Sequence, residues 1–318
     1  MVKRLSDMKE WNILYNLWER TCSPQLKASK ASNPNADWEE EVRALYKLGI
    51  SMEETIRFLY YSKPSENEFK NWILAFPNAN SNDEKEYVNE EDILTQKDLE
   101  FWKENGYIVL KNVISKKQCE ATQNAIWNFL DMNADDSNSW YKDHKEKRGL
   151  MVLFSNHTTL NANRESQIIR KAYAQLYETN EIYKTIDKVS FNPPETSCFH
   201  FLGSSLHWDV SLTLPIPFAL QGMLYLTDCD SMDGAFHCVP GFHNQIDSWL
   251  SNLPDDVNPR EEALRSLIPI PIPGKAGDFI IWHQALPHCA SPNHGTTPRM
   301  VQYLTYLPKH NMIQKEWK

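Results

Sequence analysis

The chain has 318 residues, 41% of them hydrophobic, a formal net charge of −9 and a pI near 5.6. That length and apolar content support a sizeable core and exclude global disorder, while the acidic balance gives no electrostatic support for nucleic acid or an anionic membrane as partner. The six cysteines form no C-x-x-C pair, which argues against a zinc ribbon or a disulfide scaffold and fits a reducing, cytoplasmic setting.

Met1 to Asp7 runs straight into polar sequence, so no secretory signal is expected there. Glu316-Trp317-Lys318 is not a peroxisomal address of the S-K-L type. No apolar run approaches the roughly 20 residues that cross a bilayer. The first third reads as helical. Ser51-Met52-Glu53-Glu54 and Ser65-Glu66-Asn67-Glu68 both match the S-x-x-E capping box. Behind them Ile56, Leu59 and Tyr60, then Phe69, Trp72 and Ile73, recur at helical spacing. Pro77 to Glu91 is polar and turn-rich, and predicts a linker. The expected division is a helical extension over 1–94 and a second domain over 95–318.

From Thr95 the pattern changes. Thr95 to Asp98 can cap a helix carrying Leu99 and Trp102, which Gly106 would end. Tyr107 to Val113 is a short β-rich run, and Ser115 to Gln118 is another capping box. The helix it starts shows Cys119, Thr122, Ile126, Phe129 and Leu130 on one face. Asn133 to Gly149 reads as a long polar loop of the kind that forms lids. Beyond Val189 come short extended runs broken by Pro and Gly: Gly222 to Leu226, Phe236 to Val239, Asp278 to Trp282 and Val301 to Leu307. Many short strands with turn residues between them predict a sandwich or barrel of the jelly-roll kind.

His207-Trp208-Asp209 places an imidazole and a carboxylate two residues apart, on the same side of an extended strand. Alone this spacing arises often by chance. His288 ends an apolar strand at a turn and can supply a third ligand, giving a two-histidine, one-carboxylate face of the kind that holds non-haem Fe(II). The same set can hold catalytic zinc or manganese in a hydrolase or isomerase, and a jelly roll can also serve as a non-catalytic binding module. Arg299 opens the strand that follows and offers a planar cation suited to a carboxylate. Of the remaining histidines, His283 reads as a core residue, His237 and His243 as structural, and His144, His294 and His310 as solvated. His157 and His200 could approach the site.

Taken together, His207-Trp-Asp209, the segment Asp233 to His243, the segment Gly277 to His288 and Arg299 resemble the phytanoyl-CoA dioxygenase family. Asp98 to Val113 is similar to that family's entry helix and strand, and the resemblance spans about residues 95 to 310. It implies an α+β protein: a double-stranded β-helix (jelly roll, cupin-like) with flanking helices and an N-terminal helical extension. It also implies an Fe(II)- and 2-oxoglutarate-dependent dioxygenase that consumes O2. By position, His207, Asp209 and His288 would be the iron ligands and Arg299 would bind the distal carboxylate of 2-oxoglutarate. Many members carry a small hydroxyl residue two positions after the last histidine; here Ala290 stands there, so Ser291 is the candidate. Gln221, Met223 and Tyr225 alternate along one strand face, and Gln221 is a candidate cosubstrate contact. Because Asp209 retains the carboxylate, hydroxylation or a related C–H oxidation such as dealkylation or desaturation is expected rather than halogenation. The expected substrate is a small free metabolite, since an acidic chain is a poor host for polyanionic coenzyme A. Trp140, Tyr141, Phe154 and Arg164 are the candidate substrate contacts.

Overall fold

The structure, a computed structural model, describes residues 9–22, 34–76 and 92–309. The expected linker over 77–91 and both chain ends lie outside the described residues. The chain divides into two compact units, one of Met1–Asn89 with Tyr183–Asp187, the other of Glu90–Ile182 with Lys188–Lys318.

The first unit holds α1 (Lys9–Cys22), α2 (Pro34–Lys47), α3 (Met52–Ser62) and α4 (Glu66–Leu74). Each is amphipathic, and their apolar stripes bury Leu14, Leu17, Leu45, Leu59, Phe69 and Ile73 against one another, with Ile50 of the α2–α3 connection. Full burial of each such side chain contributes about 1.5–3 kcal/mol. Arg20 reaches Glu41 with two hydrogen bonds of 2.7 and 2.6 Å. Ser65 forms its capping box with Glu68. Ser51 stands at the start of α3 as expected, but its side chain makes no capping bond.

The second unit begins with α5 (Gln96–Asn105), capped by a box between Thr95 and Asp98 and ended by Gly106 at φ 73°. That left-handed turn needs glycine, because a Cβ there would lie 2.4 Å from the His243 ring. In chain order there follow β1 (Tyr107–Leu110), α6 (Lys116–Leu130), β2 (Lys147–Arg148), β3 (Met151–Val152), α7 (Thr158–Arg164), α8 (Gln167–Tyr177), β4 (Ile182–Lys184), whose Tyr183 and Lys184 belong to the first unit, and β5 (Val189–Asn192). After them come β6 (Leu220–Tyr225), β7 (Phe236–Cys238), α9 (Ile246–Asn252), α10 (Pro259–Ser266), β8 (Ile270–Ile272), β9 (Phe279–His283), β10 (His288–Ala290), β11 (Arg299–Tyr303) and β12 (Tyr306–Pro308). The loop expected over 133–149 contains a 3-10 turn at Ser137–Tyr141 as well as β2. The run expected over 301–307 is two strands separated at Leu304 and Thr305.

Seven strands form one antiparallel sheet in the order β1-β9-β6-β11-β5-β3-β2, and a second sheet runs β10-β7-β8. Strand alternation divides the large sheet into two faces. Ile108, Leu110, Val189, Phe191, Leu224, Phe279, Ile281 and Met300 join the cluster that also holds Ile126, Leu160, Ile169 and Tyr173 of α6, α7 and α8. The opposite face sets Met223, Tyr225, Ile280, Trp282 and Val301 in a cluster with Phe236 and Cys238 of the small sheet. Two facing antiparallel sheets with helices on the outside are the double-stranded β-helix architecture. The inner face is where a site can be built.

Candidate metal centre

His207 exchanges both backbone hydrogen bonds with His288 (3.0 and 2.9 Å), so the segment carrying it adds a further extended piece beside β10. Alternation then sends Trp208 one way and its neighbours the other. Trp208 is buried, donates from Nε1 to Ala285 O at 2.9 Å and packs against Phe242 and Trp249. His207 and Asp209 face His288. His288 is itself buried and packs against the rings of Phe236 and Trp282, at centroid separations of 5.7 and 5.3 Å.

The three ligand atoms lie within 4.8 Å of one another. His207 Nε2 is 3.5 Å from Asp209 Oδ1, and His288 Nε2 is 3.3 Å from Asp209 Oδ2. The hydrogen bonds at the far side of each ring decide which nitrogen carries the proton. His207 Nδ1 is 2.8 Å from Ser205 O and His288 Nδ1 is 3.1 Å from Leu286 O. A carbonyl oxygen only accepts, so both Nδ1 atoms are protonated, and each Nε2 is left to share a cation with the carboxylate: a proton, which makes that Nε2 a hydrogen-bond donor to Asp209, or a metal ion, which takes its lone pair. Lone pairs converging in this way bind a shared cation, a proton or a metal ion, and backbone-held Nδ1–H groups are the usual orienting partners of metal-bound histidine. Bonds of about 2.0–2.2 Å to one ion put neighbouring ligand atoms about 3 Å apart, close to the spacing seen. The donor set therefore fits a divalent metal.

The electrostatics agree. The hydrogen bond with Asp209 lifts the His207 imidazole above its usual range, against the effect of burial. Burial pushes the Asp209 carboxyl up, but hydrogen bonds from His207, His288 and Gln221 together hold it well below the ordinary carboxylate range. His288 is 7% exposed at its side chain and Asp209 53%, so the cluster is rooted in the core and open on the carboxylate side. Among the described residues these three make the one group of His, Cys, Asp or Glu side chains with metal-ligand spacing.

Gln221 faces the same interior, but the structure puts its amide on Asp209. Trp282 Nε1 donates to Gln221 Oε1 at 2.9 Å, and Gln221 Nε2 donates to Asp209 Oδ2 at 2.8 Å. An indole can only donate, so Trp282 fixes which end of the amide meets the carboxylate. The candidate cosubstrate contact is thus placed as a carboxylate-orienting group.

Arg299 opens β11 on the inner face and is only 2% exposed. Its Nε donates to Gly234 O at 2.8 Å and its Nη1 lies 3.5 Å from Ser190 Oγ. The Tyr303 hydroxyl, raised by burial, is also within reach of Arg299 and Ser190. No carboxylate among the described residues pairs with this guanidinium, and a buried cation without an anion is costly. An incoming carboxylate would meet that need, so Arg299 fits the expected cosubstrate. Ser291 Oγ donates to Ala235 O at 3.1 Å, on the peptide next to the one that anchors Arg299. Gly234 permits this close packing: it sits at φ 78°, and a Cβ there would lie 2.4 Å from Asn192 Nδ2.

The candidate substrate contacts fall elsewhere. Trp140 and Phe154 are buried in the cluster on the helix side of the large sheet, and Trp140 Nε1 is spent on Asn133 O. Arg164 is 1% exposed within α7 and donates to Asn161 Oδ1. The structure thus places Trp140 and Phe154 in the helix-side core and Arg164 buried within α7. Tyr141 is half-buried, bonds Pro194 O and packs on Phe199. His283 shares the helix-side parity of Phe279 and Ile281, and its Nδ1 accepts from Ala285 N, the opposite tautomer to the two candidate ligands. His237 holds Ala235 O through Nδ1, and His243 packs against His283. His157 caps α7 and His144 lies against Phe129. Ser190, Tyr303 and Arg260 escaped the sequence reading; only the parity of Tyr303 with Arg299 along β11 could have drawn attention to one of them.

Comparison with known proteins agrees with this architecture. The model of the family described as "Phytanoyl-CoA dioxygenase (PhyH)" matches residues 102–301, more than half of the chain. A curated Dictyostelium discoideum protein, "Putative phytanoyl-CoA dioxygenase", is 22% identical over 259 residues, covering 66% of this chain and 74% of that protein. Two solved structures share the fold. AviO1 from Streptomyces viridochromogenes Tue57 superposes with a TM-score of 0.51 at 16% identity, over 70% of this chain and 99% of that one. The apoform of EctD from S. alaskensis gives 0.51 at 18% identity, over 72% and 82%. The chain belongs to the phytanoyl-CoA dioxygenase family, and so to the Fe(II)- and 2-oxoglutarate-dependent dioxygenases.

Proposed function

We propose that His207, Asp209 and His288 hold Fe(II), that Arg299 anchors the distal carboxylate of 2-oxoglutarate with Ser291 beside it, and that the enzyme oxidises a C–H bond of a small free metabolite. The observation that carries this reading is the convergence of two Nε2 lone pairs on one carboxylate, in the same barrel interior as a buried, carboxylate-free guanidinium. When bound, iron and 2-oxoglutarate supply an oxidant made from O2, with release of succinate and CO2.

The chain's own residues do the positioning. Ser205 O and Leu286 O keep both imidazoles in the tautomer that offers Nε2. Gln221 and Trp282 hold the carboxylate. Met223, Ile280, Val301 and Phe236 line the interior with apolar surface that excludes water. Hydroxylation or a related C–H oxidation follows from a site that keeps all three ligands. Six free cysteines support a cytoplasmic setting, and no described helix is long and apolar enough to cross a membrane.

A panel of candidate metabolites, assayed for succinate release coupled to O2 uptake, tests the proposal. One substrate should raise succinate above the uncoupled background, and His207→Ala should abolish it. Turnover that persists without oxygen would refute the reading.

A further inference from the structure

The segment that carries His207 and Asp209 is an edge. His207 pairs through both its N–H and its C=O with His288. In an antiparallel ladder the residues on either side of such a pair turn their polar groups to the opposite edge. No strand among the described residues lies on that edge of the segment. Instead one side chain meets it. Arg260 Nη1 donates to Trp208 O at 2.9 Å and Arg260 Nη2 donates to Val210 O at 2.8 Å. The chain bends at Asp209 and Val210, and the planar guanidinium spans the bend. Those two carbonyls belong to the residues immediately before and after Asp209.

Arg260 is itself held in place. It is the second residue of α10, whose first residue is Pro259, and the Asn258 side chain accepts hydrogen bonds from the backbone N–H of Arg260 (2.9 Å) and Glu261 (3.4 Å). Such a cap, with proline at the first helical position, fixes the helix start from which the guanidinium reaches.

We infer that Arg260 is a positioning residue for the metal: by taking the place of a missing neighbouring strand, it ties down the backbone on both sides of Asp209, at the 208–209 and 210–211 peptides, and so the carboxylate between them. The inference rests on the metal-binding reading of the three ligands.

Two consequences of Arg260 for a bound ion have opposite signs. Its charge reaches His207 and Asp209 and repels a divalent cation. If charge were its whole effect, removing it would tighten metal binding. If it positions Asp209, removing it weakens binding, by the tenfold to hundredfold typical of groups that orient metal ligands. Arg260→Met keeps the aliphatic stem, while Arg260→Lys keeps the charge and can serve one carbonyl.

Calorimetric titration of the metal-free protein with Co(II), followed also by the visible absorption of the bound ion, reads affinity without turnover. The expected result is a loss of about tenfold in Arg260→Met, with Arg260→Lys between it and the unsubstituted protein. A loss under threefold, or a gain, overturns the inference. Should Arg260→Met show no cooperative unfolding transition, Arg260→Lys decides by the same threshold. Failure of the unsubstituted protein to bind Co(II), or binding indifferent to His207→Ala, would instead overturn the metal reading itself.

Discussion

Replacing Gln221 by Met tests the hydrogen-bond relay that orients Asp209, because Met fills nearly the same volume and removes both polar atoms. Two groups lose partners. Asp209 Oδ2 loses its 2.8 Å donor, and Trp282 Nε1, on a residue 3% exposed, loses its 2.9 Å acceptor. A buried donor left unpaired costs about 1–3 kcal/mol. In a unit of this size that lowers the melting temperature of the metal-free protein by roughly 2–12 °C. Metal affinity should fall separately, by about tenfold or more, because the carboxylate is free to rotate. Trp282→Phe keeps the ring packing and the amide but frees the amide to turn over, so its effect on metal affinity should be the smaller of the two. Thermal unfolding of the metal-free protein and Co(II) titration read the two effects independently. If Gln221→Met left both unchanged, the relay would not exist and the account of how Asp209 is held would be wrong.

Arg299→Ala should raise the dissociation constant for 2-oxoglutarate by about a hundredfold, since a charge-assisted hydrogen bond contributes about 1.5–3 kcal/mol. Metal affinity measured without the cosubstrate should change less than threefold, and an equal loss of both would argue that Arg299 supports the fold instead. Gly234→Ala should destabilise the protein by at least the roughly 1–2 kcal/mol of a left-handed non-glycine residue, because its Cβ also strikes Asn192; an unchanged melting curve would contradict the packing beneath Arg299. Burial lowers the His283 imidazole from 6.5 to about 4, so the folded state keeps it neutral where the unfolded chain takes up a proton. The stability tied to this group is full above about pH 6.5 and is lost as pH falls toward about 4, at up to about 1.4 kcal/mol per pH unit. His283→Asn, whose side-chain oxygen can still accept from Ala285 N–H, should flatten that acid limb in denaturant titrations, and superimposable profiles would show that His283 is not buried neutral.

The His207–Asp209 pair was legible because strand alternation is a short-range rule: His207 and Asp209 share a side, Trp208 takes the other, and neither fact needs the tertiary fold; His288 was picked out by its place at the end of an apolar strand and by the family resemblance. Arg299 was legible from its place at the start of a strand that follows closely after His288. Capping boxes at Ser65, Thr95 and Ser115 also formed as read, since each closes within four residues. What failed to show was anything that depends on a distant partner. Gln221 was visible on the inner face, but only the arrival of Trp282 beside it orients its amide toward Asp209. Arg260 meets Trp208 from 52 residues away, and no spacing advertises it. Trp140, Phe154 and Arg164 were read as substrate contacts because they lie in or after a long polar loop. Composition cannot say which face of a sheet such a loop will cover; Trp140 and Phe154 pack on the helix side, and Arg164 is buried within α7. The break at Leu304 and Thr305 was hidden for a similar reason, since residues 301–307 read as one apolar strand.

Anaerobic titration of the metal-free protein with Fe(II) in the presence of 2-oxoglutarate, repeated for His207→Ala, Asp209→Ala and His288→Ala, shows whether these three side chains hold the ion. The expected result is one Fe(II) per chain, with at least a hundredfold loss of affinity in each substitution and retention of the unfolding transition. Unchanged iron binding after His288→Ala would contradict it, because the ion would then sit somewhere other than between these three side chains.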